Sequence, residues 1–248
     1  MCTVTYIRSG SQIYLTSSRD EQESRSKAQL PAVQALDKDH SLLFPKDPDG
    51  GGSWIALKNN GDAAVLLNGA FIQHKPKPPY RQSRGLVLLQ TISAAAPLQH
   101  FSAMELCRIE PFTLLLFTAH KLHECRWDGV QKHVVELNPD GAYIWSSVTL
   151  YNREVQMARQ TWFDDWLRQK GEPAGEDILQ FHRNGGAEQA LVHLALFRES
   201  GIKTVSITSV AISEREACLT HLDPESGAQT KQTLSLTTNL FSKAETYG

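Results

Sequence analysis

β-Branched and aromatic residues open the chain. Residues 2–8 (Cys-Thr-Val-Thr-Tyr-Ile-Arg) and 12–18 (Gln-Ile-Tyr-Leu-Thr-Ser-Ser) flank Ser9-Gly10-Ser11, a pattern that predicts a β-hairpin turning about Gly10. Residue numbers paired across such a hairpin sum to about 20, which sets position 2 against the neighbourhood of Ser18, Arg19 and Asp20. From Glu21 to Lys46 the chain is polar and broken by Pro31 and Pro45, so a loop is expected, with room for a short helix near 32–36. Residues 53–58 and 62–68 flank an Asn60-Gly61 turn and predict a second hairpin that delivers Asn68 at its far end. Residues 84–107 read as one or two helices interrupted at Pro97, with apolar anchors that include Leu86, Ile92 and Phe101. The apolar run 112–118 predicts a buried strand, and strands over 122–127 and 130–137 follow about a turn at Asp128-Gly129. Residues 151–170 form an amphipathic helical pattern that ends near Gly171. Helices over 173–182 and 187–198 and strands over 203–212, 215–222 and 228–237 complete the expectation.

Strands, a helical block and returning strands imply an α+β fold in which sheets pack between helices. No internal repeat and no long linker divides the 248 residues, so 1–248 is expected to form one domain, and a 41% hydrophobic share is ample for its core. A formal net charge of −2 gives no reason to expect nucleic-acid binding. Cys2, Cys107, Cys125 and Cys218 are widely spaced without a CxxC pair, which suggests neither a disulfide framework nor a zinc ribbon and suits a reducing compartment. There is no signal-peptide pattern and no stretch of 18 or more apolar residues, so no integral membrane segment is expected and a cytoplasmic location is the default.

Few cofactor signals survive inspection. Gly50-Gly51-Gly52 is not completed by the Lys-Ser or Lys-Thr of a phosphate loop, and is better explained as a turn or a close backbone approach. In a strand, His123 and Cys125 share a face that His120 does not, so no metal site is assigned. His74-Lys75-Pro76-Lys77-Pro78-Pro79-Tyr80-Arg81 is either an extended solvent loop or a basic rim that attracts acidic substrates. No cofactor is expected.

The chemistry points to Cys2. A small second residue permits removal of Met1, after which one residue would carry both a thiol and a free α-amine. An arginine beside a thiol favours the reactive thiolate. A carboxylate can orient the amine, which titrates near about 8 and is partly a neutral base at physiological pH. Arg19 and Asp20 are therefore candidate partners of Cys2. The same pattern also describes an ordinary edge hairpin with a polar end.

Cys2 followed by Ser18-Arg19-Asp20-Glu21, then Gly51-Gly52-Ser53-Trp54 with Gly61 and Asn68, then Ser83-Arg84-Gly85-Leu86, resembles the NRDE family, also called the transport and Golgi organisation family. The resemblance implies an N-terminal nucleophile hydrolase fold, a four-layer αββα sandwich of two antiparallel sheets between helices. It implies hydrolysis of a non-peptide C–N bond of a small-molecule substrate through a thioester, with Cys2, Arg19, Asp20 and Asn68 as site residues and Asn68 as oxyanion donor. An alternative implied by the family's other associations is a non-catalytic binding or trafficking protein for an apolar ligand such as haem or lipid. Three positions depart from the family pattern: Ser18 for asparagine, Ser147 for the asparagine of a Ser-Asn pair, and Val205 for an arginine.

Overall fold

The computed structural model describes residues 3–22, 24–184 and 201–237. The opening hairpin joins β1 (Thr3–Ser9) to β2 (Gln12–Gln22), with Thr3 opposite Ser18 and Ser9 opposite Gln12. Every pair sums to 21, one more than a turn centred on Gly10 would give, because the loop is the two residues Gly10 and Ser11. Gly10 takes φ +56°, the positive value that matches a tight hairpin to the right-handed twist of its strands.

Around this hairpin grows a six-stranded antiparallel sheet. It adds β10 (Ala142–Ser146), β11 (Ile202–Ile212), β12 (Glu216–Leu222) and β13 (Gln229–Ser235), in the spatial order β10-β1-β2-β11-β12-β13. The second sheet has seven strands running in sequence order: β3 (Gln29–Ala35), β4 (Ser41–Lys46), β5 (Ile55–Lys58), β6 (Ala63–Asn68), β7 (Phe112–Thr118), β8 (Lys121–Trp127) and β9 (Lys132–Leu137). Its strands also pair antiparallel throughout.

Alternation along the first hairpin explains the layering. Val4, Tyr6, Ile13 and Leu15 join the main core with residues of the second sheet. Their neighbours Ile7 and Tyr14 point the other way, into a separate cluster with Phe163, Ile178 and Phe181. Those three come from α3 (Arg153–Lys170) and α4 (Gly175–Asn184), which cover the outside of the first sheet. The helices α1 (Arg84–Ser93) and α2 (Pro97–Ala103) cover the second sheet and add Val87, Leu88, Ile92 and Phe101 to the main core. The result is the expected α+β sandwich of two antiparallel sheets between helical layers.

Two segments differ from the sequence expectation. The segment expected as a loop with a helix near 32–36 is instead the edge strand β3 and its partner β4. An edge strand has little to bury, so Leu30 and Val33 stay exposed and no alternation shows; Pro31 is tolerated because an edge strand need not donate on both sides. Strand β10 was not anticipated either, because all five of its residues are only half-buried. The helix expected over 187–198 lies outside the described residues.

Candidate functional site

The alternation that places Ile13 and Leu15 in the inter-sheet core carries Arg19 to the same side of β2. Arg19 is 2% exposed, and its guanidinium sits 4.9 Å from the ring centre of Trp54. Its Nη2 lies 3.5 Å from Glu21 Oε1 and 3.7 Å from Asp47 Oδ1, yet it donates no hydrogen bond among the described residues. Burial draws the Arg19 pKa below its ordinary value, while Glu21 and Asp47 push it back up. Arginine's intrinsic basicity still leaves it a cation. Arg25 closes the network on Asp47, with Nη2 to Oδ2 at 2.5 Å.

The glycine-rich segment is built to approach α1 closely. Ser53 Oγ donates to the carbonyls of Pro45 (2.7 Å) and Ile55 (2.8 Å), and the Asp47 amide donates to the Gly52 carbonyl at 2.8 Å. A Cβ on Gly52 would lie 2.2 Å from the Gly85 carbonyl carbon, so backbone meets backbone here. Ser83 caps α1 by accepting from the Leu86 amide and donates its own hydroxyl to the Gly50 carbonyl at 2.7 Å. Arg84 is held by Glu110, Nη2 to Oε2 at 3.1 Å, and donates to the Pro111 carbonyl.

Asn68 ends β6. Its carbonyl accepts from Ser147 Oγ at 2.9 Å, and its side-chain amide bonds to none of the described residues. Asn68 lines a cavity of about 130 Å³ together with Arg19, Trp54, Gly52, Ser83 and Arg84. Thus all three sequence blocks behind the family resemblance wall one cavity. A second cavity of about 170 Å³ shares Asn68 and is lined also by Ala70, Arg126, Trp145, Gln156 and Gln160.

Asp20 is on the opposite face of β2 from Arg19. It accepts from Thr204 Oγ1 at 2.5 Å and from the Tyr151 hydroxyl at 3.3 Å, and so ties β2 to β11 and to the entry of α3. Arg159 reinforces this cluster by donating to the Tyr151 hydroxyl at 3.0 Å and to Thr3 Oγ1. A β-bulge at Val205 separates Thr204, opposite Asp20, from Ser206, opposite Arg19. Bulges of this kind re-aim side chains and are over-represented beside active sites. Arg19 and Asn68 therefore share one cavity, Asp20 lies behind it, and Cys2 lies outside the described residues.

Ser18 also faces away from the cavity. Its hydroxyl is 2.8 Å from His182 Nδ1, whose Nε2 is 2.8 Å from Thr5 Oγ1. Burial, assisted by Arg159, holds the His182 imidazole down at about 3, and burial holds His221 at about 4. Folded pKa values below the ordinary 6.5 mean that the unfolded chain binds protons the folded state refuses, so stability rises with pH across this window. Each histidine contributes a slope of up to about 1.4 kcal/mol per pH unit. Denaturant unfolding at about pH 4.5 and about pH 6.5 should show His182→Gln losing roughly half of the histidine-dependent slope. A variant with the wild-type slope would refute a buried neutral His182.

Tyr151, Arg159, Asp47 and His182 were not singled out in the sequence. Asp47 reads there only as part of a turn, and Tyr151 and Arg159 only as part of an amphipathic helix. His123 is buried, 3.5 Å from Glu136, and burial pushes the Cys125 thiol up to about 12. Among the described residues no group of three or more His, Cys, Asp or Glu side chains is arranged to hold a metal ion.

Comparison with known proteins adds three findings. The family model described as Transport and Golgi organisation 2 matches residues 1–192. Among solved structures, the N-acylethanolamine-hydrolyzing acid amidase ortholog of Caenorhabditis elegans superposes with a TM-score of 0.56 at 12% identity, covering 84% of this chain and 92% of that one. A variant of the conjugated bile acid hydrolase of Clostridium perfringens matches at 10% identity with a TM-score of 0.45, covering 99% of this chain and 100% of that one. No curated protein matches. The fold is that of the N-terminal nucleophile hydrolases.

Proposed function

Because the chain belongs to the transport and Golgi organisation 2 family and has an N-terminal nucleophile hydrolase fold, we propose that it is an amidohydrolase with Cys2 as nucleophile. The observation that carries this reading is the convergence of the three sequence blocks and Asn68 on one cavity that holds a buried arginine. Val4 and Tyr6 face the space between the sheets, the side of the first hairpin on which Arg19 lies. Thr3, the first residue of β1, pairs with Ser18, the neighbour of Arg19.

In the proposed reaction the α-amine of Cys2 takes the thiol proton, and Arg19 stabilises the thiolate. The sulfur attacks the amide carbonyl carbon, and the carbonyl π electrons move to oxygen, where the Asn68 side-chain N–H donates to the oxyanion. Collapse breaks the C–N bond, the ammonium of Cys2 protonates the departing amine, and a thioester remains. Water, deprotonated by the same amine, then attacks the thioester, releases the carboxylic acid and restores the thiol. Asp20 acts as a positioning residue, because its contacts to Thr204 and Tyr151 fix the strand that carries Arg19.

The two cavities, about 130 and about 170 Å³, favour a small amide with one group on each side of Asn68. Both are smaller than the roughly 300–1,000 Å³ pockets that enclose drug-sized ligands. The test is the intact mass of protein untagged at its N-terminus, followed by thiol labelling and peptide mapping. Loss of Met1 and labelling of Cys2 ahead of the exposed Cys107 is expected, with the buried Cys125 inert. A retained Met1, or a Cys2 no faster than Cys107, would overturn the nucleophile assignment.

A further inference from the structure

Between β6 and α1 the chain runs through residues 69–83 as a loop with an unusual combination of side chains. Phe71 is 51% exposed and Ile72 is 78% exposed. Lys75, Lys77 and Arg81 follow, all exposed, and residues 63–104 contain no aspartate or glutamate at all. Neither Lys75 nor Lys77 is paired with an acid among the described residues. A chain of net charge −2 thus concentrates positive charge beside its two most prominent adjacent apolar side chains.

The base of the loop is tied down. The Arg81 amide donates to the Arg108 carbonyl at 2.9 Å, Arg108 Nη2 donates to the Pro79 carbonyl at 3.3 Å, and His74 Nε2 lies 3.1 Å from Glu110 Oε1. Phe71 contacts the Arg126 guanidinium, 4.8 Å from its ring centre, and the His133 ring, which it meets in a T-shaped pair with ring centres 4.8 Å apart. Val135, two residues along β9 from His133 and on the same face, is 50% exposed and extends the apolar surface. The apolar tip is presented by a fixed support.

We propose that this loop is a docking surface for an anionic membrane, with Phe71 and Ile72 entering the headgroup region and Lys75 and Lys77 pairing with lipid phosphates. Exposed apolar side chains next to lysines are the combination that interfacial binding uses, since burial and charge attraction add. A stable protein interface needs about 1,000 Å² of complementary surface, and two side chains supply too little of it. Docking here would bring the second cavity close to the bilayer, because Ala70 and Arg126 belong both to its lining and to the base of the loop. The proposal stands whether or not Cys2 is a nucleophile.

The test is co-sedimentation of the full chain with vesicles of phosphatidylcholine alone and of phosphatidylcholine with phosphatidylserine, for wild type, Phe71→Ser/Ile72→Ser and Lys75→Ser/Lys77→Ser. The exposed positions leave folding intact, which circular dichroism checks. Wild type should partition preferentially to the serine-lipid vesicles, and the lysine pair should weaken that partition about thirtyfold. The apolar pair should weaken it as well, and added salt should act on the apolar variant more than on the lysine variant. Absence of binding, equal binding to both vesicle types, or binding unchanged in both variants would overturn the proposal. So would concentration-dependent self-association in analytical ultracentrifugation that the same substitutions abolish, since the partner would then be a second copy of the chain.

Discussion

Replacing Cys2 by alanine is expected to abolish amide turnover, by about 10⁴-fold or more, on any substrate that a screen of small amides identifies. The size of the loss follows from the mechanism, because nucleophile and base would belong to the same residue and no neighbouring thiol can substitute. Cys125 is buried with its thiol pushed up to about 12, and belongs to the main core between β7 and β9. Folding should be almost unaffected, with an expected change within about 0.5 kcal/mol, or about 2 °C in a chain of this size. A Cys2→Ala protein that turns over substrate at the wild-type rate would remove Cys2 from the mechanism. One that loses turnover but still binds the substrate would separate chemistry from recognition and exclude a purely carrier role.

The second large effect concerns structure. Gly52→Ala should destabilise the protein by about 3 kcal/mol or more and lower its melting temperature by roughly 6–12 °C. The new Cβ would fall 2.2 Å from the Gly85 carbonyl carbon, 2.4 Å from the Leu86 nitrogen and 2.7 Å from the Gly85 Cα. All three are backbone atoms at the start of α1, so no rotamer change relieves the clash. The neighbouring Gly51 gives the contrast: a Cβ there meets nothing within 4 Å, and only its φ of +70° resists, at a cost of about 1–2 kcal/mol. Thermal unfolding of the two variants side by side decides the matter. Equal and small losses would show that the loop slides away from α1 freely. If Gly52→Ala folds at all, α1 must shift, and Ser83 and Arg84 move with it out of the cavity wall.

Much of this was legible in the sequence because each feature had a local cause. The two hairpins showed through β-branched runs and an Asn-Gly turn, and α1 and α2 through apolar spacing and Pro97. Arg19 and Asn68 could be nominated from their blocks, and they do share a cavity. Adjacency hid the rest. Arg19 and Asp20 are neighbours in the chain and read as one pair, but a strand sends neighbours to opposite faces, so one enters the cavity and the other braces α3. His182 meets Ser18 across 164 positions, a long-range pairing for which no local pattern exists. Edge strands β3 and β10 bury too little to leave a periodic trace.

The bulge in β11 bears on how this chain tolerates changes in length. Thr204 and Ser206 oppose Asp20 and Arg19, which are consecutive, so Val205 has no counterpart across the ladder. Excising a residue well away from the bulge, such as Ser209, would set the strand on one side of the cut out of step and send its side chains to the other face. Excising Val205 would instead join two residues already in step with β2, and every side chain would keep its side of the sheet. Val205 is thus a spare link, a place where the strand can be shortened by one residue without disturbing the frame on either side of it.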